Sequence, residues 1–138
     1  DQTLWDLLWQ IKPAGIKTLG TEVGTVTDSN GQVHTLRFSR PTVVPIYVDL
    51  TLTINVNFPA TGVQAAKDAI VASGNALGIG KEVVTIPYLI SSISSIPGIE
   101  DAVLLIGTSP SPTLSDNIPI AVNEIALFDS TRVNVTTI

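Results

Sequence analysis

One alternating stretch, residues 46–58, constrains the fold of this chain more than any other feature of its sequence. Apolar side chains occupy every second position, and polar side chains such as those of Asp49 and Thr53 occupy most positions between them. A period of two over this length predicts one long β-strand with one buried face and one polar face. At about 3.3 Å per residue, that strand would reach roughly 40 Å, so other elements must cover its apolar face. The predicted buried residues are Ile46, Val48, Leu50, Leu52, Ile54, Val56 and Phe58.

Two helices are predicted after the long strand. The first covers about residues 62–77 and turns Ala66 and Ile70 toward the sheet, and glycines end it. The second covers about residues 86–96, with Thr85 as its N-cap and serines on its outer face. Both helices are expected on one face of the sheet.

An N-terminal helix and a β-hairpin precede the long strand. Apolar residues at helical spacing predict a helix over 1–12 with Thr3 as its N-cap. Strands at 18–27 and 33–38 flank a predicted turn at 28–31. The helix is apolar over most of its circumference, which is typical of helices buried on two sides. Either it is the tail of a longer helix or docks on another domain or subunit, or it lies in a groove of its own domain.

The last part of the chain is predicted as short strands joined by loops. Residues 102–106 are apolar on both faces, which favours a central position in the sheet. Extended pieces at 118–122 and 125–128 follow a loop, and a turn at 129–130 leads to a final strand at 132–136.

The order of these elements predicts an α+β fold with a mainly antiparallel sheet built on the long strand. A chain of 138 residues suits a single domain over 1–138. The sequence has no methionine, not even at position 1, so we interpret it as a processed chain or as a fragment of a longer protein.

The composition argues against several classes of function. A net charge of −5 without a basic cluster argues against nucleic acid as a partner. No apolar run approaches the ~20 residues of a membrane span, and the lack of cysteine removes thiol chemistry. Charged residues make up only 14%, below the usual quarter. Either partners cover part of the surface, or Thr, Ser and Asn supply its polarity.

No catalytic, cofactor-binding or metal site is predicted. His34 is the sole histidine, and the sequence places no nucleophile or orienting acid near it. Asp28 lies in a turn that lacks the later ligands of a calcium loop. Glu100 and Asp101 are typical of a solvated turn. The Gly-Ile-Gly-Lys segment at 78–81 lacks the spacing of a phosphate-binding loop.

Five short segments form an ordered set along the chain. They are Trp-Gln-Ile-Lys-Pro-Ala-Gly at 9–15, Phe-Ser-Arg-Pro at 38–41, Val-Pro-Ile-Tyr-Val at 44–48, Gly-Asn-Ala-Leu-Gly-Ile-Gly at 74–80 and Asn-Glu-Ile-Ala at 123–126. The set resembles the C-terminal part of the baseplate J-like proteins. These are baseplate wedge components of contractile phage tails and of related bacterial contractile particles.

The resemblance implies a structural role rather than an enzymatic one. Family members form wedges around the central hub and spike, and wedge rearrangement helps to trigger sheath contraction. They are longer, which implies that this chain is a C-terminal fragment whose first helix continues from the missing part. The implied partners are other wedge subunits, a second copy of the chain, and hub or sheath-proximal proteins. The implied location is the tail baseplate of a virion or phage-derived particle, made in the bacterial host cytoplasm.

Partner contacts are predicted on the first helix, on two arginines and on the loop at 108–117. The arginines either bind carboxylates of a neighbour or pair with Asp49. The alternative function is a host-surface or carbohydrate-binding module that uses Tyr47 and polar residues of the open sheet face. The candidate contact residues are Leu4, Trp5, Leu8, Trp9, Arg37, Arg40, Ser111 and Leu114.

Overall fold

The computed structural model describes residues 1–13 and 15–138, with the backbone alone of Ile86 and Pro87. The chain is a mixed α+β protein, which confirms the predicted fold class. It divides into two compact units, Asp1–Arg40 and Pro41–Ile138, which we call the N-terminal unit and the sheet unit. That the whole chain is a single domain cut from a longer protein stays a prediction.

The N-terminal unit consists of a helix and a β-hairpin. Helix α1 (Gln2–Ile11) is followed by strands β1 (Glu22–Thr27) and β2 (Val33–Phe38), which pair antiparallel. Between the strands, the Asp28 carboxylate accepts hydrogen bonds from the backbone N–H groups of Asn30 and Gln32 at 2.8 and 3.0 Å. This side-chain bonding holds the predicted turn, as is usual for aspartate at such a position.

Helix α1 begins one position after Asp1, which is its N-cap. The Asp1 carbonyl accepts the first helical hydrogen bonds, from the N–H groups of Leu4 and Trp5 at 3.0 and 3.2 Å. The predicted cap, Thr3, therefore lies inside the first turn, and that prediction was wrong. The error is one of boundary, because the helical spacing of the apolar residues does not fix where the hydrogen bonds start.

The sheet unit is built on a central strand. Strand β3 (Thr42–Ile54) lies between β4 (Ile99–Gly107) and β5 (Glu124–Thr137). It pairs antiparallel with β4 and parallel with β5, so this sheet is mixed rather than mainly antiparallel. Strand β4 is at an edge, which corrects the prediction that residues 102–106 are central.

The long strand is shifted by four residues from its predicted bounds of 46–58. At its end, the Asn55 side-chain oxygen accepts a hydrogen bond from the N–H of Asn57 at 2.9 Å, which turns the chain and leaves Val56 fully exposed. At its start, Pro45 is tolerated because only β5 pairs with β3 there. The alternation itself is confirmed, since Ile46, Val48, Leu50 and Leu52 are all buried.

Strand β5 is one continuous strand where two pieces and a turn were predicted. Four residues, 129–132, bulge out opposite Tyr47, because Phe128 pairs with Ile46 and Val133 with Val48. The turn signal at Asp129 is real but local, since its carboxylate accepts a bond from the N–H of Thr131 at 2.8 Å. Residues 118–122 form no strand and make one isolated bridge, from Ile118 to Val83.

Two helical segments cover the apolar face of the sheet. Helix α2 (Gly62–Asn75) buries Ala66 and Ile70 against it, close to the prediction. The predicted helix at 86–96 is instead a π-helical turn (Thr85–Leu89) followed by a short helix α3 (Ile90–Ser92). Hydroxyls of three serines in this segment donate to carbonyls three residues earlier, which competes with regular helical bonding. These bonds are Ser91 to Tyr88, Ser92 to Leu89 and Ser94 to Ser91.

Candidate interaction surfaces

One face of α1 forms the core of the N-terminal unit. Trp5 is 8% exposed and packs with Val26 and Leu36 of the hairpin. Its ring centroid lies 4.7 Å from that of Phe38, and a Cβ at Gly24 would overlap its indole. Glycine therefore leaves room for the Trp5 ring where β1 passes under the helix.

Three of the predicted contact residues on α1 lie on this inner face. Trp5 is buried, and the half-buried Leu8 and Trp9 pack against the same cluster. This face of the helix thus lies against its own unit, which is the second of the two arrangements considered from the sequence. A partner role for these three residues stays a prediction, and their side chains already contact their own unit.

The opposite face of α1 carries an exposed apolar stripe. Leu4, Leu7 and Ile11 are 39%, 52% and 67% exposed and recur at helical spacing. Leu4 is the only residue of this stripe among the predicted contacts. The sequence did not separate the two faces, because six of the ten helix positions are apolar and they extend over most of its circumference. We define Leu4, Leu7 and Ile11 as the α1 stripe.

His34 has an acidic partner that the sequence analysis did not identify. Its Nε2 lies 2.9 Å from Oδ2 of Asp28, and its ring stacks on Trp9 with centroids 4.3 Å apart. The hydrogen bonds from His34 and from the backbone N–H groups of the turn lower the pKa of the Asp28 carboxyl. The predicted hairpin could have indicated this pair, because a hairpin brings residues on either side of its turn together. The pair orients the imidazole and fixes the turn against α1.

The two predicted arginines differ in their surroundings. The Nη2 atom of Arg40 lies 2.9 Å from Oδ1 of Asp1, and its guanidinium lies over the Phe38 ring at 5.3 Å. Arg37 has an exposed side chain, and its backbone N–H donates to Oγ1 of Thr18 at 2.9 Å. Pairing with Asp49 or with a neighbour's carboxylates stays a prediction.

The loop at 108–117 is anchored to the sheet unit. Leu114 exchanges two backbone hydrogen bonds with Ile106, and its side chain remains exposed. Ser111 is also exposed and has a φ of 61°, a left-handed conformation that is uncommon for serine. Thr85, predicted as a helix cap, is instead buried, and its Oγ1 donates a hydrogen bond to the side-chain Oδ1 of Asn117 in this loop at 3.3 Å.

The open face of the sheet presents polar side chains with one aromatic ring. Tyr47 is half-buried, and the guanidinium of Arg132, which lies in the β5 bulge, covers its ring at 5.9 Å. Thr51 and Thr53 follow on the same face of β3 and are half-buried. The ring is therefore only partly free for stacking on a ligand.

Within residues 1–13 and 15–138, no three His, Asp or Glu side chains come close enough to hold a metal ion. No helix in the described part of the chain is long and apolar enough to cross a membrane.

Comparisons with models of known protein families and with curated proteins found no match to this sequence.

Proposed function

We propose that this chain is a structural, non-enzymatic component of a contractile tail baseplate, where it acts as part of a wedge. Its partners would be other wedge subunits, including a second copy, and hub or sheath-proximal proteins. Its location would be the baseplate of a phage or phage-derived particle, after synthesis in the bacterial cytoplasm.

The observation that carries the proposal is the α1 stripe. The helix already buries one face on its own hairpin, yet Leu4, Leu7 and Ile11 remain exposed on the other. An apolar surface of this kind is typical of protein–protein contacts. The stripe supports assembly in general, and the resemblance of five ordered segments to baseplate J-like proteins supports the baseplate in particular.

The stripe changes which residues we assign to the contact. The proposed contact now centres on Leu4, Leu7 and Ile11 rather than on Trp5 and Trp9. Substituting the two tryptophans would remove core contacts of the N-terminal unit, so it would not separate assembly from folding. Substituting the stripe should leave folding intact.

Negative-stain microscopy of tail particles tests the proposed role. The parent strain is compared with a strain that lacks this segment. We expect sheathed tails to disappear, or tubes and spikes to accumulate without assembled baseplates. Complete contractile tails that fail only in attachment would contradict the wedge role and favour the host-recognition alternative. A glycan screen of the 138-residue chain then addresses the open face around Tyr47.

A further inference from the structure

Strand β4 has hydrogen-bonding groups that point away from its sheet. The N–H of Ile106 donates to the Leu114 carbonyl at 2.8 Å, and the N–H of Leu114 donates to the Ile106 carbonyl at 3.3 Å. Both backbone groups of Ile106 are therefore directed away from β3. In an antiparallel ladder this direction alternates, so it repeats at every second residue along β4.

Two further residues of β4 share this direction. Ala102 and Leu104 pair with Leu52 and Leu50, just as Ile106 pairs with Val48. The hydrogen bonds of β3 support this direction. The Leu52 carbonyl accepts a hydrogen bond from the N–H of Ile138, next to β5, at 2.9 Å, so the Leu52 carbonyl points away from its β4 partner Ala102. The backbone groups of Ala102 and Leu104 are thus directed toward the outer edge of the sheet. Leu104 is only 4% exposed and Ala102 is half-buried, so the accessible part of this edge lies at Ala102.

The Asp101 side chain occupies part of this edge. Its Oδ1 accepts a hydrogen bond from the N–H of Ala102 at 2.8 Å, so a carboxylate stands where a neighbouring strand would place its carbonyl. Charged side chains that guard an edge in this way are common in natural sheets. The bond is local and exposed, so an incoming strand can replace it.

A depression of about 400 Å³ lies beside the same segment, between the strand and the α3 region. Its apolar lining and its two acidic residues together define the side chains that would fit. The lining includes Ile90, Ile93, Ile99 and Ala102, with Glu100 and Asp101 as its acidic members.

We propose that the edge of β4 binds an extended segment of a partner protein as an added strand. Side chains of such a segment alternate in direction. Apolar ones would contact the isoleucines of the depression, and basic ones would face the carboxylates of Glu100 and Asp101 at its margin. Two copies of β4 side by side would bring Glu100 and Asp101 of each copy together, which disfavours self-pairing. The partner's place in a baseplate rests on the proposed function, whereas the binding itself is measurable on this chain alone.

The test uses the full 138-residue chain and synthetic peptides. The probe is acetyl-Lys-Val-Lys-Val-Lys-Val-amide, and its matched control has Glu in place of Lys. Two further versions carry N-methyl groups on the Lys amides or on the Val amides. Binding is followed by amide chemical shifts in a ¹H–¹⁵N spectrum.

We expect the Lys peptide to shift the amides of residues 99–105 and 90–94, and the Glu peptide to bind about tenfold more weakly. Only one of the two N-methylated versions should lose binding, because only alternate amides face the edge. Asp101→Lys should reverse the charge preference, and the exposed Asp116→Lys, an equal change of net charge, should leave it unchanged.

Three results would overturn the proposal. One is no binding of the Lys peptide. Another is equal loss of binding in both N-methylated versions, since this would exclude strand addition. The third is a concentration-dependent dimer that protects residues 99–105, which would make a second copy the occupant. Each leaves the microscopy of tail particles unaffected, so failure of this proposal is distinct from failure of the assembly role.

Discussion

The N-terminal unit and the sheet unit build their cores differently. The first relies on one buried tryptophan, with Val26 and Leu36 beneath it and aromatic neighbours around it. The second packs alternate aliphatic residues of three strands against helical segments. Chains below about 40 residues usually need disulfides, metals or partners for stability. The N-terminal unit is near that limit and the sequence has no cysteine, so a partner on the α1 stripe would have a stabilising role there.

The two units also differ in charge. Four acidic and four basic residues balance in the N-terminal unit, so the net charge of −5 lies in the sheet unit. The exposed apolar stripe thus belongs to the neutral unit, and the acidic strand edge belongs to the charged one. If both proposals hold, the chain has two kinds of partner surface, one apolar and one acidic. The predictions that follow test whether the units respond separately.

The largest effect is expected from Trp5→Ala. Loss of a buried tryptophan costs about 3–5 kcal/mol, more than a unit of this size is expected to retain. Residues 1–40 should therefore lose hydrogen-exchange protection while β3 and its neighbours keep theirs. Ile11→Ala, on the exposed face of the same helix, should change little. Simultaneous loss of protection in both units would contradict the comparison.

The sheet unit should remain folded when one side chain of its larger core is truncated. Leu50→Ala is expected to lower the free energy of unfolding by about 2–5 kcal/mol. The sheet should nevertheless remain folded in water, with a lower denaturant midpoint, because many buried neighbours remain around the site. Urea unfolding followed by circular dichroism measures this, and loss of the folded sheet in water would count against it.

Two glycines allow a matched comparison of packing. A Cβ at Gly74 would overlap the Phe128 ring in the sheet unit, and one at Gly24 would overlap Trp5. Gly74→Ala should cost about 1–3 kcal/mol. Gly24→Ala should cost less, since the smaller core lets Trp5 move. Gly78→Ala is the control, because its Cβ would meet only Lys81 at 3.9 Å. Denaturant midpoints rank the three, and equal costs in the two units would contradict the expectation.

The smallest effect is one of pH. The pKa of Asp28 in the folded unit is lowered, chiefly by His34. Its stabilising contribution is therefore complete above the unfolded value of about 3.9, and it is lost as the pH falls through the lower folded value. Asp28→Asn should remove this acid sensitivity from the N-terminal unit. The sheet unit should keep its own acid sensitivity, because hydrogen bonds from Thr131 lower the pKa of the Asp129 carboxyl. Amide ¹H–¹⁵N spectra recorded between pH 5 and 2, in steps of about one pH unit, would measure the acid sensitivity of each unit.

The sequence was most informative where a pattern and a core coincide. The face of β3 from Ile46 to Leu52 follows from alternation alone, because a slip by one residue would turn every apolar side chain outward. The strand's end did not follow, since Val56 continues the alternation inside a turn held by Asn55. Local hydrogen bonding decided that boundary.

Long-range pairing was the part that could not be predicted. Nothing near residues 124–137 indicates that this strand runs parallel to β3, because that choice depends on the whole crossover between them. The α1 stripe was missed for a different reason. Apolar residues extend over most of the helix circumference, and only the packing of Trp5 on the hairpin shows which of them remain free.

The most direct test of the assembly role is negative-stain microscopy of tails that carry Leu7→Asp together with Ile11→Asp. The control is Val122→Asp, an apolar position in the sheet unit that is 88% exposed. Circular dichroism of the isolated chain first establishes that both variants fold. We expect loss of assembled baseplates in the double variant and normal tails in the control. Normal sheathed tails in the double variant would contradict it.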